Sequence, residues 1–359
     1  MDRVRLEIAY ADKVDAQAAQ LAARARRGTP NIEDQLRASL QLVAGLDVLE
    51  DDAADHWRTA VGQALTGFLS SVLSTEGELA ASLGSESELG TAARDELISF
   101  ILSFTSRAAS RDRLNFFTTN YDRLIEYACD LIGLRPVDRF VGGLSPRFRA
   151  SRLDIDMHYN PPGIRGEPRY LEGVLRLTKL HGSIDWRYVG GELLRVPLGF
   201  GGPAAEDELD AYDSLIIYPN PAKDLETLEY PYAELFRDFS AALCRPNSVL
   251  VTYGYGFGDD HINRVIADML TIPSTHLAVI SYDDTGDRVE SFLDHVGHHS
   301  QVSLIIGGAL AEMKVLVEHL LPKPAIDVVT LRQSDLLRRR SVTTEPAPQD
   351  LGTAPEMGQ

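Results

Sequence analysis

Leu114 to Ile132 reads LNFFTTNYDRLIEYACDLI. Leu114–Thr118 is a short, mostly apolar run, and from Tyr121 onward apolar residues recur three and four apart. The first pattern belongs to a buried strand and the second to an amphipathic helix. The polar residues Thr119, Asn120 and Asp122 fall between them, at the carboxyl end of a strand, where open α/β sheets bind ligands.

The same alternation continues downstream. Candidate strands are Leu175–Leu180, Leu215–Tyr218, Ser248–Tyr253, Leu277–Ser281 and Val302–Ile306, with helical patterns at Tyr232–Leu243, Asp260–Leu270, Asp287–His295 and Ala309–Leu320. Several runs are apolar on both faces, as parallel strands covered by helices require. Upstream, Ala11–Ser110 is rich in Ala, Leu, Glu and Arg at helical spacing, broken near Gly28-Thr29-Pro30 with Asn31 as a cap and again across Leu83-Gly84-Ser85. The expected fold is α/β: a Rossmann-like, doubly wound, mostly parallel sheet with a helical N-terminal layer and a small inserted subdomain. The expected divisions are residues 1–110 for the helical layer and 111–325 for the core. An insertion is expected at about 135–173 and a flexible tail over 326–359.

The 359 residues carry a formal charge of −18, with 44% hydrophobic and 25% charged residues. Such a chain buries a substantial core, and its charge repels nucleic-acid backbones and anionic membranes as primary partners. Two cysteines, Cys129 and Cys244, far apart in the chain, cannot make a four-thiolate zinc site, and they are expected as small buried apolar side chains rather than a disulfide framework. No segment reads as a signal peptide or a bilayer span, so a cytoplasmic location is expected.

Four strand ends carry residues able to do chemistry. Thr118-Thr119-Asn120-Tyr121-Asp122 offers an amide and a carboxylate two residues apart; capping of the following helix explains the same residues. His181, in Lys179-Leu180-His181-Gly182-Ser183, is placed as a general base, although a lone histidine is commonly structural. Thr252 to Asn263 reads TYGYGFGDDHIN, where Gly254, Gly256 and Gly258 allow close backbone approach. Asp259 and Asp260 there disfavour phosphate and suit a ribose, or else cap the helix. Ser281-Tyr282-Asp283-Asp284 closes a strand with acids suited to a ribose diol or to a turn.

Together and in this order, TTNYD, KLHGS, GYGFGDDHIN and VISYDD resemble sirtuin-like proteins, most of all the bacterial sirtuin-like NADases of antiphage defence. The likeness runs from about Asn31 to Pro322 and includes Asn31–Asp34 and Pro136-Val137-Asp138. It implies NAD as substrate and no metal. Asn120 matches the asparagine that orients the nicotinamide ribose and a water, Asp122 the acid at the carboxamide, and His181 the histidine acting on the ribose hydroxyls. Gly254, Gly256 and Ser281 match positions along the ribose and adenosine, with Thr118, Thr119, Gly258, Asp259 and Asp283 as further binding candidates.

The implied activity is hydrolysis of NAD to nicotinamide and ADP-ribose by a defence effector. The alternative is a weakly catalytic nucleotide-binding or assembly subunit. A homo-oligomer and a HerA-like hexameric ATPase are the implied partners. The missing four-cysteine zinc ribbon makes a protein deacylase the weakest reading. One departure concerns the phosphates: no GAG-S type glycine loop precedes the first helices. Either the natural start lies upstream, or nucleotide is bound differently.

Overall fold

The computed structural model describes residues 9–82, 88–105, 113–150, 156–159, 169–202, 215–217, 230–297 and 299–322. The expected break at Leu83-Gly84-Ser85 and the expected tail over 326–359 lie outside these residues.

Four helices open the chain: α1 (Ala11–Arg24), α2 (Ile32–Val48), α3 (Ala53–Ala81) and α4 (Glu88–Thr105). Asn31 caps α2 in a reciprocal box: its side chain accepts from the Asp34 amide at 2.9 Å, and the Asp34 carboxylate accepts from the Asn31 amide at 3.0 Å. This satisfies two donors that every helix start leaves open. Val14, Ala18 and Leu21 pack against Ala38, Val43, Leu46 and Trp57, joining the first three helices into a layer.

The remaining elements are β1 (Leu114–Thr118), α5 (Leu124–Ile132), β2 (Arg135–Val137), β3 (Phe140–Val141), β4 (Arg147–Phe148), β5 (His158–Tyr159) and β6 (Arg169–Tyr170). They continue with β7 (Val174–Lys179), β8 (Gly182–Val189), β9 (Glu192–Arg195), β10 (Leu215–Ile217), α6 (Tyr232–Leu243), β11 (Val249–Tyr253), α7 (Asp260–Leu270), β12 (His276–Ser281), α8 (Arg288–Val296) and β13 (Val302–Ile306). Two short helices follow, α9 (Gly308–Ala311) and α10 (Met313–Val315), then a π turn at Leu316–Leu320. The single helix expected over Ala309–Leu320 is thus interrupted at Glu312, whose backbone is extended.

The fold is the expected Rossmann-like α/β arrangement. Its parallel strands form two three-stranded sheets, ordered β1-β7-β2 and β11-β12-β13. Among the described residues, β1 and β11 each end a sheet. Helices cover both sides: Phe100, Ile101, Ala128, Cys129 and Ile132 of α4 and α5 pack with Leu175 and Leu177 of β7, while Phe239 of α6 meets Phe117 of β1 at 4.9 Å between ring centroids. Burying each such large side chain contributes about 1.5–3 kcal/mol. Burial also pushes the Cys129 thiol up to about 12, so it behaves as a small apolar side chain.

An antiparallel sheet, ordered β10-β8-β9-β4-β3, lies beside these. The run around Leu215, expected as one more strand of the alternation, pairs antiparallel with β8. The β8–β9 hairpin turns through Gly190 and Gly191, both at positive φ (59° and 82°). A primed two-residue turn requires that conformation, and glycine adopts it without strain.

Gly201 makes a tighter approach. Its φ is +64°, and a Cβ there would lie 2.4 Å from Gly77 Cα and 2.5 Å from Gly77 N, both backbone atoms of α3. Gly201→Ala is expected to cost about 2–3 kcal/mol, because neither backbone can yield without moving a helix. Denaturant unfolding checks this; a midpoint shared with the unaltered protein counts against it. Among the described residues, no helix is long and apolar enough to cross a membrane.

Candidate functional site

The carboxyl ends of β1, β7 and β11 open onto one cavity of about 850 Å³, roofed by the helical layer. That size lies within the range of about 300–1,000 Å³ common for small-molecule and cofactor sites. Thr119, Asn120 and Asp122 reach it from β1, His181 from β7, and Gly254, Gly256, Gly258 and Asp259 from the loop after β11. These eight residues, all singled out by sequence, therefore line one space, and Asp260 joins them.

Local geometry explains why they point there. The Thr118 hydroxyl accepts from the Asn120 amide at 3.0 Å, turning the chain at the strand end and leaving Asn120 exposed to the cavity. The Asp122 carboxylate accepts from the Leu124 amide at 3.1 Å. Asp122 thus caps α5, which begins at Leu124 rather than at Tyr121, and also lines the cavity. The buried Lys179, last residue of β7, donates to the backbone carbonyl of Asp122 and to Glu126 at 3.2 Å. That contact ties the β1 turn to β7.

His181 Nε2 bonds Asp259 Oδ2 at 3.0 Å, both side chains being largely buried. The other oxygen of Asp259 accepts from the amides of His261 at 3.0 Å and Ile262 at 3.4 Å, at the start of α7. One carboxylate of Asp259 thus caps α7 and holds His181 at the cavity wall. A carboxylate accepts the Nε2 proton, which leaves Nδ1 of the neutral ring as the basic nitrogen.

The glycine loop is held firmly. Tyr255 donates to Asn263 Oδ1 at 2.8 Å, and Asn263 Nδ2 donates to the Phe257 carbonyl at 3.0 Å. Gly254 sits at φ +65° and Phe257 at +50°, the latter buried against Phe292. Burial, reinforced by the Asp259 charge, raises the Tyr255 phenol, which stays a neutral donor.

Three candidates stand apart from the cavity wall. Thr118 is occupied in its turn, the buried Ser281 hydroxyl donates to the Asp283 carbonyl at 2.7 Å, and the Asp283 carboxylate accepts from the Thr285 amide at 2.9 Å. Ser281 and Asp283 thus close the turn after β12, which is the turn reading of the acidic strand end.

Other wall residues escaped sequence reasoning because the helical layer, or a distant helix start, supplies them. Glu33 of α2 accepts from Tyr121 at 3.5 Å, and Phe68 of α3 packs edge-on against the Tyr121 ring at 5.6 Å. Tyr121, whose phenol burial and Glu33 push up, stands 6.4 Å from the His181 ring. Arg27, at the α1–α2 turn, and Arg288, first residue of α8, also line the cavity. Among the described residues, no group of three or more His, Cys, Asp or Glu side chains is arranged to hold a metal ion.

A Rossmann-like sheet whose strand ends converge on one polar cavity defines a nucleotide-binding α/β protein. The family model of the SIR2-like domain matches residues 114–300, more than half of the chain, and the chain belongs to this SIR2-like domain family. Membership implies NAD binding or use, and the cavity fits it: amide, carboxylate, imidazole and guanidinium groups line a space large enough for a dinucleotide. No curated protein matches the chain.

Proposed function

We propose that this chain hydrolyses NAD to nicotinamide and ADP-ribose, with Asn120, Asp122 and His181 at the reacting end. One observation carries the reading: these three residues and the glycine loop open on a single cavity, with His181 held by a carboxylate. NAD supplies a cationic leaving group, and breaking its glycosidic bond gathers positive charge on the ribose. Asp122 and the Asp259–His181 pair offset that charge, and Asn120 orients the ribose and a water. His181 Nδ1 takes the proton, so NAD and water give nicotinamide, ADP-ribose and a proton. The pairing with Asp259 stabilises the imidazolium that results.

The test is nicotinamide release by the purified chain. Asn120→Ala is expected to lower turnover about 10²- to 10³-fold, as loss of one preorganised polar contact does, with little change in melting temperature because Asn120 is exposed. Full activity in this variant sinks the assignment. The proposed setting is depletion of NAD in antiphage defence, as a homo-oligomer or together with a HerA-like ATPase in the cytoplasm.

A second reading is a nucleotide-binding or assembly subunit with little turnover of its own. Binding of ADP-ribose without nicotinamide release under any condition favours it.

A further inference from the structure

We propose that Arg27 and Arg288 form a diphosphate-binding site against the glycine loop Gly254–Gly258. The proposal deepens the dinucleotide reading above and rests on it for the identity of the ligand.

Both guanidinium groups lie directly on the glycines. A Cβ at Gly256 would sit 3.3 Å from Arg288 Nη2, and one at Gly258 would sit 3.4 Å from Arg27 Nη1 and 3.7 Å from Arg288 Nη1. Glycine at these positions therefore makes room for arginine. Both residues line the 850 Å³ cavity.

Their charges are incompletely matched. Arg27 Nη2 pairs with Asp34 at 2.5 Å, but the Nε atoms of Arg27 and of Arg288 are buried with no hydrogen-bond partner. Buried donors left open cost free energy and point to an absent acceptor. Burial and the neighbouring Arg27 charge both lower the Arg288 pKa, against a partial offset from Asp283. Two like charges at one loop, in a chain of net charge −18, are stabilised by an anion between them. Planar guanidinium forks match phosphate oxygens two at a time. The repulsion expected from Asp259 is reduced because its oxygens already accept from His181, His261 and Ile262. Gly258 directly precedes Asp259, so a diphosphate here lies one residue along the chain from the partner of His181.

Calorimetric titration of the full chain with inorganic pyrophosphate, ADP-ribose and adenosine tests this. Pyrophosphate and ADP-ribose are expected to bind, and Arg288→Gln to weaken both about 10- to 100-fold while adenosine affinity is unchanged. Arg288→Lys, which keeps the charge and loses the fork, is expected to fall between. Should Arg27→Gln unfold through loss of its Asp34 pair, Arg288→Gln carries the test. Unchanged pyrophosphate and ADP-ribose affinity in folded Arg288→Gln overturns the site, as does failure of the unaltered chain to bind either. Nicotinamide release read in parallel separates the two proposals. Release with an unaltered KM in Arg288→Gln overturns the arginine site and leaves the hydrolase reading standing. Arginine-dependent pyrophosphate binding without any release supports the site and removes the hydrolase.

Discussion

His181→Ala is expected to lower nicotinamide release about 10²- to 10⁴-fold, the usual contribution of a positioned acid–base group. The more discriminating variant is Asp259→Asn. Asp259 serves the imidazole with one oxygen and the first turn of α7 with the other. Asparagine caps helices about as well as aspartate, so the fold is expected to change by only a few tenths of a kcal/mol. It cannot stabilise an imidazolium by charge, and its amide can hold the ring in the wrong tautomer. Turnover is expected to fall about 10- to 100-fold with KM much less affected. Asp259→Ala removes both roles and is expected to lose about 1 kcal/mol of stability in addition. Steady-state nicotinamide release with thermal melts on all three variants checks the set. Wild-type turnover in Asp259→Asn would reduce Asp259 to a helix cap.

The sequence made visible what is local. A strand followed by polar residues and a helix marked Asn120 and Asp122, and the glycine-spaced loop marked Gly254 to Gly258. The link between His181 and Asp259 was not visible, because it joins residues 78 apart, one just past β7 and the other at the cap of α7. Arg27 and Glu33 come to the wall through helix packing, for which the cap at Asn31 was the nearest local sign. The β8–β9 hairpin had a clear local signal, Gly190-Gly191 between apolar runs. Ser281 and Asp283 carry the composition of a ribose site, yet their polar groups are used by their own turn. Residue type alone does not distinguish an acid that waits for a ligand from one that closes a turn.

The largest stability effect is expected where the helical layer meets the site. Glu76 of α3 is fully buried, and its carboxylate accepts from the Arg123 amide at 2.7 Å, Arg123 Nε at 3.2 Å, Arg123 Nη2 at 2.6 Å and the Gly201 amide at 3.3 Å. Arg123 also donates to the carbonyls of Leu198 and of Gly199, the latter at 3.0 Å. Phe200 lies beneath the guanidinium and stacks on Tyr127 at 4.0 Å. Glu76→Ala leaves the Arg123 charge buried without its partner and is expected to cost about 3–5 kcal/mol. Replacing both residues with apolar ones of similar volume, Glu76→Leu with Arg123→Met, removes the stranded charge and is expected to cost less than the single change. Denaturant unfolding of the single and double variants decides between a charge effect and a packing effect. A double variant no more stable than Glu76→Ala would mean that the four hydrogen bonds to Glu76, not the stranded charge, dominate. The outcome bears on activity because Arg123 directly follows Asp122. A latch that fixes the start of α5 also fixes the turn bearing Asn120, so Glu76→Ala is expected to lower turnover even under conditions where the chain stays folded.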